Sequence, residues 1–329
     1  MRLRFIIAAF ALLTLGVAAP HAQEPMRIRY GVTASIGHLP VVVGRDSGIF
    51  KKHGFDVEVI HIRGGALITA TIMSGSVQFS GAGAESVVAA RIEGADVALL
   101  ACPADQDAVY LIARPEIKTP ADLKGKTTAV TRLGSTTHFY LRAALSQVGL
   151  DEKDLTILQL GAGGEIAAAM LGGRVTAAAL TIHNAYPFMQ MGWPILADLS
   201  KTDFIYPSSC VATSRALIKS SGSMVERFLR GYTEAIRMIK KDIRFAERTI
   251  RKWQREADPV VVKKTIEIYA PLFKATPNVP DRGIEAVLRE LARRRPVPKE
   301  FQNLELYRDQ APLERLVRSG WIEQLYKDS

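Results

Sequence analysis

Cysteine is nearly missing from this chain, with only Cys102 and Cys210 in 329 residues. That excludes a disulfide-stapled scaffold, Cys-x-x-Cys redox chemistry and a thiolate-built zinc or iron–sulfur centre. An exported chain would permit a bridge between the two, but two buried thiols are the expectation. Other signatures are lacking too. There is no G-x-S-x-G elbow, no H-E-x-x-H and no phosphate-binding P-loop, so no catalytic residue is assigned. The six histidines (His21, His38, His53, His61, His138, His183) include no pair spaced three or four apart, so neither a metal site nor a cofactor is expected. Beyond the N-terminus no apolar run approaches the roughly twenty residues of a membrane-spanning helix. No aromatic-basic module accompanies the net charge of +10, and its clusters, Lys240-Lys241 and Arg293-Arg294-Arg295, read as solvated faces; nucleic acid is not an expected partner.

What is present begins with a secretory signal. Arg2 and Arg4 precede an apolar run from Phe5 to Ala19, with small residues at Ala18, Ala19 and Ala22. Residues 1–22 are read as a signal peptide and the mature protein as exported, with no cysteine near the cleavage region to carry a lipid. About 305 residues then remain, enough for one large or two ordinary domains, and the 48% apolar content suffices for full-sized cores.

Short apolar strands alternate with helix-period segments, which indicates an α/β fold with largely parallel sheet. Met26 to Thr33 reads as a strand, Leu39-Pro40 as a helix start with Pro in the first turn, and Phe55 to Ile62 as a strand buried on both faces. Gly64-Gly65 leads into a helix through Met73, and Val77 to Ser80 forms a further strand. A shift of 98 residues places Val32-Thr33 on Val130-Thr131, Gly65 on Gly163, Gly75 on Gly173 and Val77 on Val175. The order of these matches argues for two lobes built on one plan. Val109 to Ala113 and Ser209 to Thr213 then read as the connections between lobes. Met224 to Trp253 carries an apolar stripe every three or four residues and predicts one long helix of roughly 45 Å. The helical remainder should pack on the first lobe.

The stretch Thr127 to Val148 reads as strand, turn and helix, and its turn carries Ser135, Thr136 and Thr137 at a helix N-terminus. Hydroxyls and free backbone N–H groups there suit a carboxylate or sulfonate. Gly81-x-Gly83 lacks the third glycine of a dinucleotide fingerprint and fits better as a turn that lets a ligand approach the backbone. In parallel sheets such turns gather at the carboxyl ends of the strands. The candidate ligand contacts are therefore Ser35, Gly37, His38, Gly83 and Glu85 from one lobe, and Ser135, Thr136, Thr137, His183 and Asn184 from the other. Gly64, Gly65, Gly163 and Glu165 lie beside them. If Glu85 and Glu165 both face the cleft, an amine, zwitterion or heteroaromatic gains over a simple oxyanion.

Four segments resemble a known family: Asp46-Ser47-Gly48-Ile49-Phe50 through Val57, Met73-Ser74-Gly75-Ser76-Val77-Gln78-Phe79, Pro120-Ala121-Asp122-Leu123-Lys124-Gly125-Lys126, and Gly134-Ser135-Thr136-Thr137-His138. They are similar to the periplasmic substrate-binding proteins of ATP-binding-cassette importers, in the nitrate/taurine/alkanesulfonate branch, which is related in fold to thiamin-pyrimidine synthases. Gln78 stands where that family more often has Asp. The resemblance implies a two-lobed type II periplasmic-binding-protein fold, each lobe a mostly parallel sheet flanked by helices, with a two-strand hinge. Lobe 1 would comprise residues 23–110 and 211–329, and lobe 2 residues 111–210. It also implies a monomer in the periplasm that closes on a small-molecule ligand and delivers it to an ABC permease in the cytoplasmic membrane. The alternatives are a ligand sensor for a kinase and a thiamin-pyrimidine-synthase-like enzyme, whose cysteine-rich motif has no match here.

Overall fold

The computed structural model describes residues 24–33, 35–62, 66–254, 258–293 and 296–327. The signal-peptide reading, Gly64-Gly65 and two arginines of the basic run, Arg294 and Arg295, lie outside them.

Among the described residues, ten strands form two five-stranded sheets. The first contains β1 (Met26–Val32), β2 (Phe55–His61), β3 (Phe79–Ala82), β4 (Val97–Ala101) and β10 (Cys210–Ser214). The second contains β5 (Val109–Ala113), β6 (Thr127–Val130), β7 (Thr156–Gln159), β8 (Ala177–Thr181) and β9 (Ile195–Asp198). Their orders, β2-β1-β3-β10-β4 and β7-β6-β8-β5-β9, are one plan used twice. In each, four strands run the same way and one runs antiparallel, second from the edge. The antiparallel strand of each sheet, β10 or β5, comes from the chain just after it has crossed from the other sheet. Corresponding strands also keep the sequence offset: β1 ends at Val32 and β6 at Val130, β2 at His61 and β7 at Gln159, while β3 begins at Phe79 and β8 at Ala177.

Local sequence accounts for most elements. In β1, Ile28, Tyr30 and Val32 are buried while Arg27 and Arg29 point outward, the period of two of a half-buried strand. Ser35 then accepts from the Gly37 N–H and caps the short turn Ile36–His38, and Pro40 sits in the first turn of the helix Leu39–Asp46. Thr119 and Asp122 make a reciprocal capping box at Pro120–Leu123, which closes only a single 3₁₀ turn. Gln78 continues the ladder beyond β3, with its backbone N–H on Arg29 O and its side-chain oxygen accepting from Arg29 N. Its amide thus serves as a strand extension.

Four expectations are corrected. β2 is an edge strand, so its pattern alternates, with Phe55 and Val57 buried and Asp56 and Glu58 exposed. The long helix is two, Gly222–Lys241 and Ile243–Gln254. Asp242 leaves helical geometry and its carboxylate accepts from Phe245 N, so a side-chain cap starts a second helix inside an unbroken apolar stripe. The helix Pro259–Leu272 packs against Ile182–Gln190 of the second sheet as well as against the helices of the first. Finally, Cys102 and Cys210 are joined in a disulfide. Ala101 pairs with Val211, which brings Cys102, just beyond β4, and Cys210, the first residue of β10, together across a sequence separation of 108. The bond therefore sits where the chain leaves the first sheet and where it returns.

The core of the first half is built around Phe228 on the helix Gly222–Lys241, stacked on Phe50, Phe79 and Tyr30 with Phe55 edge-on. No helix among the described residues is long and apolar enough to cross a membrane.

Candidate functional site

A cavity of about 180 Å³ lies between the two sheets. Thr33, Ser35, His61 and Ile62 contribute from the ends of β1 and β2, and Asp107 and Ser208 from the two crossings. The second half supplies Thr131, Ser135, Thr136, Thr137 and Tyr140 after β6, Gly161 to Gly163 after β7, and Thr181, His183 and Asn184 after β8. Apart from the two crossing residues, all follow from topology: the carboxyl ends of parallel strands meet here.

The turn after β6 is held by its own side chains. Thr137 Oγ1 accepts from Thr131 N, and Ser135 Oγ donates to Arg132 O instead of capping the helix Thr136–Gln147. Leu133 N donates to Gln159 Oε1 and Gly134 N to His138 Nδ1. With Nδ1 an acceptor, the ring proton of His138 is on Nε2 and faces Glu152 at 2.6 Å. Thus the amides of Thr131, Leu133, Gly134 and Ser135 all have internal acceptors. The hydroxyls of Thr131, Ser135 and Thr137 bond one another as well, at 2.9 to 3.0 Å.

On the opposite side of this turn, Thr136 Oγ1 donates to Glu85 Oε1 at 2.9 Å, a bond between the halves. Glu85 is buried, with Ser86 Oγ on the same oxygen and Oε2 lacking a protein partner. Burial pushes its carboxyl up to about 7 against the hydrogen bonds that favour the charge. Gly83 makes the approach possible. A Cβ there would lie 2.3 Å from Glu85 Oε2 and 2.7 Å from Thr136 Oγ1.

At the crossings a chain of hydroxyls converges on one carboxylate. Ser35 Oγ meets Ser209 Oγ at 3.3 Å, Ser209 meets Ser208 at 3.3 Å, and Ser208 donates to Asp107 Oδ2 at 2.6 Å. Tyr140 donates to the same oxygen and Tyr269 to Oδ1 at 3.2 Å. Burial raises the Asp107 pKa, while Ser208, Tyr140 and Tyr269 oppose that by donating to the ionised form. Both tyrosines are held far above their ordinary range by burial and by the Asp107 charge, and so remain donors.

His183 is neutral. Burial lowers its pKa to about 4. The Asn184 amide donates to Nε2 at 3.0 Å, which leaves the ring proton on Nδ1, 3.1 Å from Thr181 Oγ1.

The cavity wall therefore contains six of the ten candidate ligand contacts: Ser35, Ser135, Thr136, Thr137, His183 and Asn184. Gly37, His38, Gly83 and Glu85 stand behind it. His38 bonds Thr33 Oγ1 at 3.1 Å, and its ring lies so close on the Gly81 backbone that a Cβ there would be 2.2 Å away. Burial and the neighbouring His61 lower its pKa to about 3. Glu165 is exposed and outside the wall. The wall residues that sequence reasoning missed include Asp107, Tyr140 and Ser208. Tyr140 sits one turn past Thr136 in the recognised helix, where its spacing alone could have placed it on the same face. Asp107 and Ser208 lie in irregular chain, 101 residues apart in sequence, and no periodic signal marks them. Among the described residues no cluster of three His, Cys, Asp or Glu could hold a metal ion.

A family model described as NMT1/THI5 like matches residues 35–242. No curated protein matches the sequence. Among solved structures, a protein of Bordetella bronchiseptica RB50 is 21% identical with a TM-score of 0.76, covering 89% of this chain and 97% of that one. The alkanesulfonate-binding protein SsuA from Xanthomonas axonopodis pv. citri bound to MOPS is 22% identical, with a TM-score of 0.70 and coverage of 84% and 96%. The desulfurization enzyme DSZB also shares the fold, at 13% identity, a TM-score of 0.67 and coverage of 89% and 99%. The architecture is the periplasmic-binding-protein fold that the resemblance implied. The chain belongs to the NMT1/THI5-like family.

Proposed function

We propose, from membership of the NMT1/THI5-like family, that this protein is an extracytoplasmic solute-binding protein that encloses a small organic ligand between two lobes and delivers it to an ABC importer. The lobes would be residues 23–110 with 211–329, and residues 111–210. The observation that carries the reading is that one cavity takes its wall from the strand ends of both sheets, while Glu85 and Thr136 bridge the halves beside it. Ligand contacts to both sides would favour the closed arrangement over the open one, and a permease in the cytoplasmic membrane can read that difference. The similarity to an alkanesulfonate-binding SsuA supports transport, and it supports a periplasmic location together with the signal peptide expected from the sequence.

An enzyme with this fold is the competing reading, since DSZB shares it. Both cysteines of this chain are consumed in the disulfide, so no thiol nucleophile is available. Incubating the mature protein with a broad metabolite library and following thermal unfolding separates the two. A bound compound at a hundred times its dissociation constant adds about 2.7 kcal/mol. A stabilising compound recovered unchanged is the expected result. Its conversion to product, or no stabilisation by any compound, refutes the proposal.

A further inference from the structure

On the reading of this chain as a solute-binding protein, we infer that the cavity selects an organic ligand that donates an N–H group to Asp107, of the amidine or amide class, and rejects simple oxyanions. Charge is the first argument. Among the described wall residues Asp107 is the only carboxylate, and neither lysine nor arginine is present. Its three protein donors, Tyr140, Tyr269 and Ser208, are hydroxyls, which supply hydrogen bonds but no positive charge. A carboxylate offers about four acceptor positions, so one remains on a side chain that forms part of the wall. A cation or a polarised N–H fits that position, whereas an oxyanion would meet a like charge in a site of low dielectric.

The second argument concerns donors. An oxyanion needs several convergent N–H groups or a cation to replace its hydration. The turn after β6 resembles such a cradle in sequence, but the amides of Thr131, Leu133, Gly134 and Ser135 already have acceptors within the protein, which leaves it those of Thr136 and Thr137 at the helix start. His183 offers no charge, because Asn184 donates to its Nε2. His61 Nε2 accepts from Trp253 Nε1 at 3.1 Å. The polar side chains of the wall are hydroxyls, imidazoles, the Asn184 amide and one carboxylate. A volume of about 180 Å³ is a little above the roughly 150 Å³ of an apolar cavity that holds benzene, which sets the ligand near one ring with a head group.

Four probes of one shape and different head groups test this: benzamidine, benzamide, benzoate and benzenesulfonate, each added to the mature protein during thermal unfolding at neutral pH. Benzamidine is expected to raise the melting temperature by about 5 °C, benzamide by less, and the two anions not at all. In Asp107→Asn the affinity for benzamidine should fall at least tenfold. The ranking on the unaltered protein stands by itself should that variant fold poorly. Stabilisation by benzoate or benzenesulfonate above benzamidine overturns the inference, as does an unchanged benzamidine affinity in Asp107→Asn or a lack of response to all four. An anionic hit in the wider metabolite screen would defeat this inference and leave the binding-protein reading intact. A screen with no hit at all would remove that reading as well.

Discussion

Replacing Glu85 by Gln should stabilise this protein above neutral pH and leave it unchanged in mild acid. The side chain is 6% exposed, with one oxygen accepting from Thr136 and Ser86 and the other without a protein partner. Its pKa is raised from 4.5 to about 7, chiefly by burial. Between those values the folded protein holds a proton that the unfolded chain has released, so stability falls as pH rises through this window. Below the unfolded value both states are protonated and the effect vanishes; above the folded value it is complete. The difference in pKa corresponds to about 3 kcal/mol. Gln is nearly isosteric, keeps an acceptor for Thr136 and carries no charge to desolvate. At pH 8 the variant should therefore exceed the parent by about 3 kcal/mol, or about 5 °C in melting temperature for a chain of this size, and at pH 4.5 the two should coincide. Chemical denaturation across pH 4.5 to 8 reads the difference directly. Parallel pH profiles for parent and Glu85→Gln, or a loss of stability at pH 8, would refute the account.

Other consequences follow from the same structure. Reducing the Cys102–Cys210 bond, or replacing both cysteines by Ser, frees a sequence separation of 108 and should cost up to about 4–5 kcal/mol by the loop-entropy relation, measured by denaturation with and without reductant. Gly83→Ala keeps an allowed backbone, since φ is −73°, but inserts a methyl between Glu85 and Thr136; small-angle scattering should show a larger radius of gyration for the variant. Phe228→Ala removes the ring on which Phe50 and Phe79 stack and should cost about 3–5 kcal/mol in equilibrium unfolding. Thr136→Ala combined with Thr137→Ala removes two wall hydroxyls and should weaken ligand affinity, measured by calorimetric titration, with the fold retained by circular dichroism.

Much of this arrangement could be read locally. The alternation in β1, the Ser35 cap, Pro40 and the strand-turn-helix after Thr127 are each set by neighbours within a few residues, so the sequence places them without the fold. The internal offset of 98 residues survives in four pairs of strand ends, including Val97 of β4 and Ile195 of β9, because both halves solve the same packing problem. Asp242 shows the limit of periodicity: the apolar stripe runs straight through it, while one carboxylate on Phe245 N breaks the helix.

What the sequence by itself determined is the α/β class, the duplicated plan and the family, together with six of the residues that line the cavity. What only the tertiary structure decided is which of the gathered turns open into the cavity and what is left there to meet a ligand. Strand insertion beside β4 put Cys102 against Cys210, and the crossings set Ser208 on Asp107 from 101 residues away. Those pairings depend on topology, which acts over distances that no local pattern encodes. The turn from Gly134 to Thr137 illustrates both parts. Its hydroxyls were evident from residue types, but the bond of the Leu133 amide just before it was not, because the acceptor, Gln159, arrives from another strand.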